Sequence, residues 1–365
     1  MRGLIRLGSI AMLLAAAGCG IMAGSLQRSK QPRTDPLVLA HHDISPGDIP
    51  PPSKGVEANN PPRVVPKPDN ARLVLPPGFA CSVYAEGGFN VPRWLALAPN
   101  GDVFLADSGA GSIIVLRDLN KDGVVDARYT FATGLREPFG MAFVGNALFV
   151  GNTNAVVRFD YASGQTAASG PPTKIVDIPA DGYNNHWTRN VVPTPDGRKL
   201  VVSVGSSGNV NVEKDPRRAA ILEMNLDGTG SRLFATGTRN PVGMAFNPVT
   251  KALWAVVQER DMLGDDVPPD YLTAVKDGGF YGWPYSYTGR NPDPRREGER
   301  PDLVETAIVP DVLIQAHSAP LGLVFYGGDM FPAEYKGDAF VALHESWNRS
   351  VRTGYKIISV KFKDG

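Results

Sequence analysis

Arginine and histidine side chains recur where apolar, strand-like runs of this sequence begin. Arg93, His186, Arg189 and Arg239, the last followed by Asn240, each stand at such a start. A guanidinium stays charged at any relevant pH, so several of them that converge repel one another unless an anion lies between them. Histidine, with an ordinary pKa of about 6.5, can accept a proton at neutral pH. These residues suit a site that binds an acidic ligand and removes a proton, although pairing of each arginine with a local carboxylate is the structural alternative.

Two further polar clusters follow later strand-like runs. The first is Gln258-Glu-Arg-Asp261, and the second is His344-Glu-Ser-Trp-Asn-Arg349, which adds Asn348 and Arg349 to the candidates. His317 precedes another apolar run and, like His344, is a second candidate for proton transfer or for a loop hydrogen bond. The fold must gather these side chains from distant parts of the chain.

One short phrase, an apolar run, a turn and a second apolar run, recurs at intervals of about 50 residues. Its five copies begin at Arg93, Phe139, Arg189, Pro241 and Pro320. Gly in the linking segments 99–102 and 195–198 allows the positive φ of a tight hairpin turn. The repeat predicts an all-β propeller, whereas a β-sandwich offers no reason for it. In a propeller, loops of several blades meet at one end of the central channel and would collect the polar side chains.

A separate acidic segment is similar to the first half of a calcium-binding loop. Asp118, Asn120 and Asp122 supply oxygen atoms at alternate positions, and Gly123 stands at the sixth position. Tyr129 occupies the twelfth position, where an EF-hand has a bidentate Glu. The segment therefore predicts either a structural Ca²⁺ loop or a metal-free Asx turn.

The N-terminus has the pattern of an export signal. Two arginines precede an apolar stretch over residues 7–17 that is too short to span a bilayer, and Leu-Ala-Ala-Ala-Gly-Cys19 is typical of a bacterial lipobox. We predict a signal peptide over residues 1–18, lipidation at Cys19 and attachment to the periplasmic face of a bacterial membrane, most simply the outer membrane. Cleavage after Ala17 without lipidation is the alternative.

Composition separates this signal from the repeats. Residues 19–70 have clustered prolines and little apolar periodicity, which predicts a disordered tether, and residues 71–365 then form the propeller. The formal net charge is zero, from 37 basic and 37 acidic side chains. This balance leaves no positive field for a polyanion and argues against a nucleic-acid partner.

Several stretches in one order resemble the sorbosone dehydrogenase and PQQ-dependent soluble sugar dehydrogenase family, whose members are six-bladed propellers; PQQ is pyrroloquinoline quinone. The resemblance runs from Leu75 to the end of the chain. It is carried by His186-Trp-Thr-Arg-Asn, Gly237-Thr-Arg-Asn-Pro-Val-Gly-Met-Ala-Phe, Glu259-Arg-Asp-Met-Leu-Gly-Asp-Asp, Gly278-Gly-Phe-Tyr-Gly-Trp-Pro and Gly337-Asp-Ala-Phe-Val-Ala-Leu-His-Glu-Ser-Trp-Asn-Arg.

The resemblance implies oxidation of a small-molecule sugar or sugar aldehyde of the sorbosone or aldose type, with hydride passing to PQQ and His186 as the general base. Arg239 would polarise the quinone carbonyl. Ca²⁺ would be held by PQQ and by main-chain oxygens near Asp261 and Met262. An external electron acceptor, a cytochrome or a quinone, would receive the electrons. Further cofactor contacts would come from Arg93, Arg189, Asn240, Asn348 and Arg349.

Two features depart from the family pattern. Glu345 stands where the family has Gly, so a carboxylate enters the rim of the expected site, where it could pair with Arg349 or repel an anionic cofactor. The family continues beyond Phe362 with a final blade. We therefore expect a six-bladed type of propeller that is truncated, lacks its last blade and binds the cofactor weakly or not at all. A strand over residues 79–85 is expected to close part of the ring.

Two other functions suit an exported propeller. A calcium-dependent sugar-lactone hydrolase would need carboxylate and Asn ligands for the metal at the channel, whereas the blades of this chain start with Arg and His. A non-catalytic propeller would bind glycans or partner proteins. Dye reduction by aldoses after addition of PQQ and Ca²⁺ separates these alternatives from the dehydrogenase.

Overall fold

A pair of short strands forms before the first repeat. The structure, a computed structural model, describes residues 33–53, 58–181 and 185–363. Within these residues, β1 (Arg33–Pro36) pairs in parallel with β2 (Arg72–Leu75), and a 3-10 turn lies between them at Pro46–Asp48.

The apolar repeats form five consecutive sheets, which we number blade one to blade five along the chain. Blades one and two are four-stranded antiparallel sheets built from consecutive strands. Blade one contains β3 (Pro92–Leu97), β4 (Val103–Asp107), a 3-10 turn (Ser108–Ala110), β5 (Ser112–Arg117) and β6 (Ala127–Ala132). Blade two contains β7 (Met141–Val144), β8 (Ala147–Asn152), β9 (Ala155–Asp160) and β10 (Thr173–Asp177).

Blades three to five follow the same order with one insertion. Blade three contains β11 (Val191–Pro193), β12 (Lys199–Val204), β13 (Ala220–Asn225) and β14 (Arg232–Thr236), and blade four begins with β15 (Asn240–Phe246), β16 (Leu253–Gln258) and β17 (Asp270–Ala274). The insertion adds β18 (Gly279–Phe280), which pairs in parallel with β14, the hairpin of β19 (Ser286–Tyr287) and β20 (Asn291–Pro292), and helix α1 (Pro301–Val304). Strand β21 (Val312–Ile314) then completes blade four, and blade five contains β22 (Pro320–Phe325), a 3-10 turn (Ala333–Tyr335), β23 (Ala339–Glu345) and β24 (Gly354–Val360).

The first strands of neighbouring blades contact one another: β3 contacts β7, β7 contacts β11, β11 contacts β15 and β15 contacts β22. This arrangement places the first strand of each blade around a common axis, as in a propeller. The predicted all-β propeller is therefore confirmed, with five blades in the described residues. Gly101 and Gly197, with φ of 93° and 67°, lie in the predicted hairpin turns of blades one and three.

Apolar clusters fill the spaces between successive blades. Phe104 and Leu148 belong to the cluster of blades one and two, and Phe149 and Leu222 belong to that of blades two and three. Equivalent clusters join blade three to four and blade four to five. Large side chains packed on both sides of a blade give a stiff support for the loops at the end of the channel.

Blades one and five keep apolar side chains in solvent. Leu95 and Leu97 on β3 are 61% and 71% exposed, and Ile357 on β24 is 70% exposed. These three side chains lie on the first and the last blade. The described residues form no apolar cluster between blade one and blade five like those between successive blades.

The segment before blade one links these two blades. Phe79 packs against Phe331 beside blade five, with 4.8 Å between ring centroids, and Arg128 of blade one donates to the carbonyl oxygens of Glu86 and Gly87. The predicted strand over residues 79–85 is wrong, because these residues have no strand conformation. The contacts with both blades come from side chains and single hydrogen bonds instead.

Part of the predicted tether also lies on the propeller. We call residues 44–53 and 58–61 the strap. The N–H of Ser53 donates to the carbonyl of Leu263, and the N–H of Asn60 donates to the carbonyl of Trp347, both at 2.7 Å. The structure thus differs from the expected disorder in this part, because hydrogen bonds with two propeller loops fix the strap.

Candidate active site

Loops at one end of the blades carry the polar residues because of how the strands pair. In blade four, Asn240 at the start of β15 lies opposite Gln258 at the end of β16, so Arg239 and Glu259 follow directly beyond the same end of the sheet. Blade five repeats this arrangement at the start of β22 and the end of β23. Residues before a first strand and after a second strand therefore meet around the channel.

These loops enclose a cavity of about 260 Å³. The cavity brings together five of the predicted site residues, Arg93, His186, Arg239, Asn240 and Asp261, and both further proton-transfer candidates, His317 and His344. We call the buried side of the cavity the inner wall; it includes His186, Arg239, Glu259, Asp261, Asp270 and His317. We call the more exposed side the mouth; it includes Arg93, Trp187, His344, Glu345 and Trp347.

Hydrogen bonds hold His186 in one orientation. Its Nδ1 lies 3.1 Å from the carbonyl oxygen and 2.9 Å from the Oγ of Ser206, and this Oγ donates to the carbonyl of Gly208 at 2.6 Å. A carbonyl oxygen only accepts, so Nδ1 carries the proton and Nε2 has the lone pair of the neutral ring. Burial lowers the pKa of His186 to about 3, and the charge of Arg239 adds to this shift. The imidazole is therefore a neutral proton acceptor at neutral pH.

Arg239 is buried and surrounded by acceptors. Its Nη1 donates to the carbonyl of Glu259 at 2.6 Å, and its Nη2 donates to Oδ2 of Asp261 at 2.7 Å and to Oδ1 of Asn209 at 3.0 Å. Burial disfavours the charged form of Asp261, but Arg239 and His317 together outweigh this effect and lower the pKa of that carboxyl. Both partners of this ion pair are therefore charged and fixed in place.

His317 is held on the other side of the same carboxylate. Its Nδ1 lies 3.6 Å from Oδ1 of Asp261, and its Nε2 lies 2.8 Å from the carbonyl of Gly264. Burial acts to lower the pKa of His317, but the contact with the Asp261 carboxylate and the hydrogen bond with Gly264 outweigh it and raise the pKa. Since both ring nitrogens face acceptors, the inner wall favours a protonated His317, in contrast to the neutral His186.

Two buried carboxyl groups complete the inner wall, and the sequence did not single them out. Burial raises the pKa of Glu259 to about 8 and the pKa of Asp270 to about 6. Oδ1 of Asp270 accepts from the N–H of Glu259 at 2.8 Å, and its Oδ2 accepts from the N–H of Ala319 at 2.9 Å. Glu259 belongs to the polar cluster Gln258-Glu-Arg-Asp261, which was the signal available for it in the sequence.

Close approach and unusual backbone conformations shape the inner wall. His317 and Ala319 have φ of 62° and 50°, which is uncommon for residues other than Gly. A Cβ on Gly205 would collide with the Cβ of His186 and with Oδ1 of Asn240. Strained backbone conformations of this kind concentrate at functional sites.

The mouth has weaker internal contacts. The guanidinium of Arg93 lies 5.1 Å from the ring centroid of Trp187, a cation–π arrangement. Burial lowers the pKa of His344, so its ring is neutral at pH 7. Glu345 lies near this ring, at 3.6 Å from Nδ1. Of the two alternatives that the sequence left open for Glu345, pairing with Arg349 is not formed in the described residues, because Arg349 pairs with Asp266. Trp347 is 39% exposed at the rim.

Three predicted cofactor contacts lie outside the cavity lining. Arg189 is fully buried and donates to the carbonyls of His186, Thr188 and Pro179. Its guanidinium therefore orders the loop that carries His186, which is the structural role left open for it.

Asn348 and Arg349 order another loop. Oδ1 of Asn348 accepts from the N–H of Met262 at 2.7 Å, and its Nδ2 donates to the carbonyl of Ala58 at 2.7 Å. Arg349 contacts the carbonyl of Asp265 and pairs with Asp266 at 2.6 Å. These two side chains join the loop after β23 to the loop after β16.

The carbonyl groups expected to hold calcium contact a cation of the chain itself. Nε of Arg260 donates to the carbonyl of Asp261 at 3.0 Å, and its Nη2 donates to that of Met262 at 3.3 Å. Arg260 is buried and also pairs with Asp293 at 2.7 Å. A guanidinium repels Ca²⁺. This arrangement does not fit the ion without rearrangement.

The second predicted calcium site is an exposed loop of blade one, between β5 and β6. Its oxygen atoms accept from main-chain N–H groups: Oδ2 of Asp118 accepts from Gly123 at 2.8 Å, and Oδ1 of Asn120 accepts from Asp122 at 3.0 Å. These are the contacts of Asx turns. The described residues contain no group of three or more His, Cys, Asp and Glu side chains that could hold a metal, and the Ca²⁺ loop stays a prediction.

The predicted signal peptide and Cys19 lie outside the described residues. In the described part of the chain, no helix has both the length and the apolar character required to cross a bilayer.

The fold and the cavity define a propeller with a polar site where the blades meet. The chain belongs to the TrAA12-like family, whose family model matches residues 73–294 and 301–365. An uncharacterized protein of Borreliella burgdorferi is 27% identical over 298 residues, which cover 79% of this chain and 76% of that protein. The pyrroloquinoline quinone-dependent pyranose dehydrogenase of Coprinopsis cinerea is 24% identical over 324 residues, which cover 75% of this chain and 43% of that enzyme.

Solved structures share the fold. The holo form of the PQQ domain of the Coprinopsis cinerea pyranose dehydrogenase superposes with a TM-score of 0.64 at 21% identity, over 75% of this chain and 76% of that one. A calcium structure of the Trichoderma reesei family AA12 protein gives a TM-score of 0.66 at 21% identity, over 76% of this chain and 79% of that one. At this identity, the likeness extends to the fold alone.

Proposed function

We propose that this chain is a quinoprotein that oxidises a sugar or a sugar aldehyde of the sorbosone or aldose type, with PQQ as its cofactor. Membership of the TrAA12-like family and a relative named as a PQQ-dependent dehydrogenase support this proposal. The observation that carries it is one cavity wall in which a neutral, oriented His186 lies beside the cation of Arg239.

The cavity residues fit an anionic, planar quinone. Among the described residues, Arg93 has no hydrogen bond or ion pair, and only the more distant charge of Glu345 acts on it, so its N–H groups are available to a carboxylate. Oδ1 of Asn240 and Oγ1 of Thr188 are buried without a partner in the described part of the chain. The Trp187 ring adds apolar surface. Arg93, Arg239 and Asn240 would hold PQQ, which supplies a carbonyl carbon that accepts hydride from the sugar.

His186 would perform the proton step. A substrate hydroxyl loses its proton to Nε2 while the hydride leaves the carbon that bears this hydroxyl, which becomes a carbonyl group. The ring then becomes cationic; Asp261 favours this charge, and Arg239 opposes it. The guanidinium of Arg239, fixed by Asp261 and the Glu259 carbonyl, stabilises negative charge that develops beside it.

Reconstitution tests the function. The exported protein is titrated with PQQ while the quinone absorbance is followed, and dye reduction with aldoses is then measured. We expect His186→Ala to bind PQQ but to lower kcat by about 10²- to 10⁴-fold, the usual contribution of a general base. The exposed His42→Ala is the control. Failure to bind PQQ, or full turnover by His186→Ala, would contradict the proposal, and tight stoichiometric binding would overturn the weak binding expected from the sequence. Lactone hydrolysis with Ca²⁺ alone would favour the hydrolase.

We also propose the location and the partners that the sequence predicts. The lipid anchor at Cys19 would place the propeller on the periplasmic face of the outer membrane. Electrons would pass to a cytochrome or a quinone in the periplasm. Metabolic labelling with a fatty acid, lost in Cys19→Ala, tests the anchor.

A further inference from the structure

Glu345 differs from the other carboxyl groups of the cavity. Asp261 is paired with Arg239, Asp270 accepts two main-chain N–H groups, and the raised pKa of Glu259 keeps that group uncharged. Glu345 has a side chain that is 27% exposed, and its only ion-pair contact in the described residues is His344 at 3.6 Å. Because the pKa of His344 is lowered, this ring does not supply a positive charge at neutral pH.

The cation of Arg93 attracts Glu345 across the cavity but forms no close pair with it. Arg93 is held over the rings of Trp187 and Phe139, at 5.1 and 5.7 Å. No ion pair within 4.0 Å joins Arg93 to Glu345 in the described part of the chain. A half-buried carboxylate without a charged hydrogen-bond donor binds such a donor more strongly than a neutral one.

An indole lies beside this carboxylate. Trp347 follows Glu345 by two residues, lines the same cavity and is 39% exposed. No ring or cation contact is made by its face among the described residues. Carboxylate and indole together form a surface that attracts an ammonium group and an apolar sugar face.

We propose that Glu345 and Trp347 form a substrate subsite that selects sugars bearing an ammonium group, that is, amino sugars, over neutral and anionic sugars. The proposal rests on the proposed function, since it names the substrate class of the same cavity. Arg93 would bind the anionic cofactor, and Glu345 would then be the charge that faces the sugar at the mouth.

Substrate ratios test the subsite. The protein reconstituted with PQQ is assayed with D-glucosamine, N-acetyl-D-glucosamine, D-glucose and D-glucuronate. We expect kcat/KM for D-glucosamine to exceed that for the N-acetyl compound, which has the same shape near the ring without the charge. Glu345→Gln should reduce this ratio about 10-fold, the effect of one charge-assisted hydrogen bond. The exposed Glu334→Gln is the matched control and should keep the ratio.

Direct binding separates this proposal from the proposed function. If no sugar is oxidised, the function fails, and saturation-transfer NMR with D-glucosamine and the full chain decides the subsite: contact that is lost in Glu345→Gln and in Trp347→Ala supports it. An unchanged substrate ratio in Glu345→Gln, a preference for D-glucuronate, or glucosamine binding that ignores both substitutions overturns it. Glu345→Gly, which restores the residue of the family pattern, serves if the Gln variant does not fold.

Discussion

At the inner wall, Arg239 and Asp261 are buried and paired at 2.7 Å, whereas Arg93 and Glu345 at the mouth are partly exposed and form no ion pair with each other in the described residues. An arginine and a carboxylate thus have different roles in the two regions. Groups whose charges are fixed by neighbours need no reorganisation when a reaction begins, which suits catalysis. Groups without close partners can bind a molecule that enters, which suits selection of a ligand.

The largest effect is expected at the inner wall. Asp261→Asn leaves Arg239 and His317 buried without their counter-charge, so the free energy of unfolding should fall by about 3 to 5 kcal/mol. Chemical denaturation of the full chain measures this loss. Asp329→Asn removes an equally short ion pair with Lys336 that lies in solvent, and it should change stability little. Similar losses for both variants would contradict the difference between buried and exposed pairs.

The pH dependence of stability gives a second test of the inner wall. Glu259 keeps its proton up to about pH 8 in the folded chain but ionises near its ordinary pKa of 4.5 when unfolded. Its contribution to stability is therefore complete below pH 4.5 and is lost as the pH rises to 8. Asp270, with a pKa of about 6, has the same sign at lower pH, and His186 has the opposite sign below pH 6.5.

Above pH 6.5, Glu259 and His317 act with the same sign, since the pKa of each is raised in the folded chain. Between about pH 6.5 and pH 8, Glu259 alone should lower the free energy of unfolding by about 2 kcal/mol, since each unit of pH is worth about 1.4 kcal/mol per proton. Glu259→Gln should remove this part of the decline and leave the part from His317, while Glu334→Gln, an exposed control, should keep both. Denaturation curves at the two pH values measure this change in the free energy of unfolding. If Glu259→Gln showed the same change as the unsubstituted chain, Glu259 would not be a buried protonated carboxyl.

The sequence predicted the scaffold because the fold is repetitive. Gly101 and Gly197 mark the same hairpin in two blades, and the polar residues that precede first strands meet at one end by the geometry of strand pairing. His186 and Arg239 could be placed together on this ground. Residue type and the sequence repeat were sufficient to predict the scaffold and the proximity of these two side chains.

The direction of each guanidinium could not be read from the sequence. Arg189 and Arg239 both precede a first strand, yet Arg189 turns to the carbonyls of its own loop, and Arg239 faces the cavity. The direction that each guanidinium takes depends on acceptors that other loops provide, such as Glu259 and Asp261. The strap was missed for the same reason: its composition indicates disorder, but Asn60 finds partners almost 290 residues away.

The smallest effect is expected where the strap supports the mouth. Asn60→Ala removes the Nδ2 contacts with the carbonyls of Arg349 and Ser350 and the Oδ1 contact with Arg352, but its N–H still donates to Trp347. We expect a loss of about 1 kcal/mol in global stability, since two weak hydrogen bonds and one charged hydrogen bond to a partly exposed side chain are lost.

Hydrogen exchange should locate this effect in the loop over residues 347–352, with faster exchange there and no change near His186. Asn59→Ala, at an exposed neighbour, is the control and should leave the exchange of that loop unchanged. If Asn60→Ala instead destabilised the chain as much as Asp261→Asn, the strap would be part of the rigid core. The mouth would then be as firmly fixed as the inner wall, and the proposed difference in rigidity between the inner wall and the mouth would be wrong.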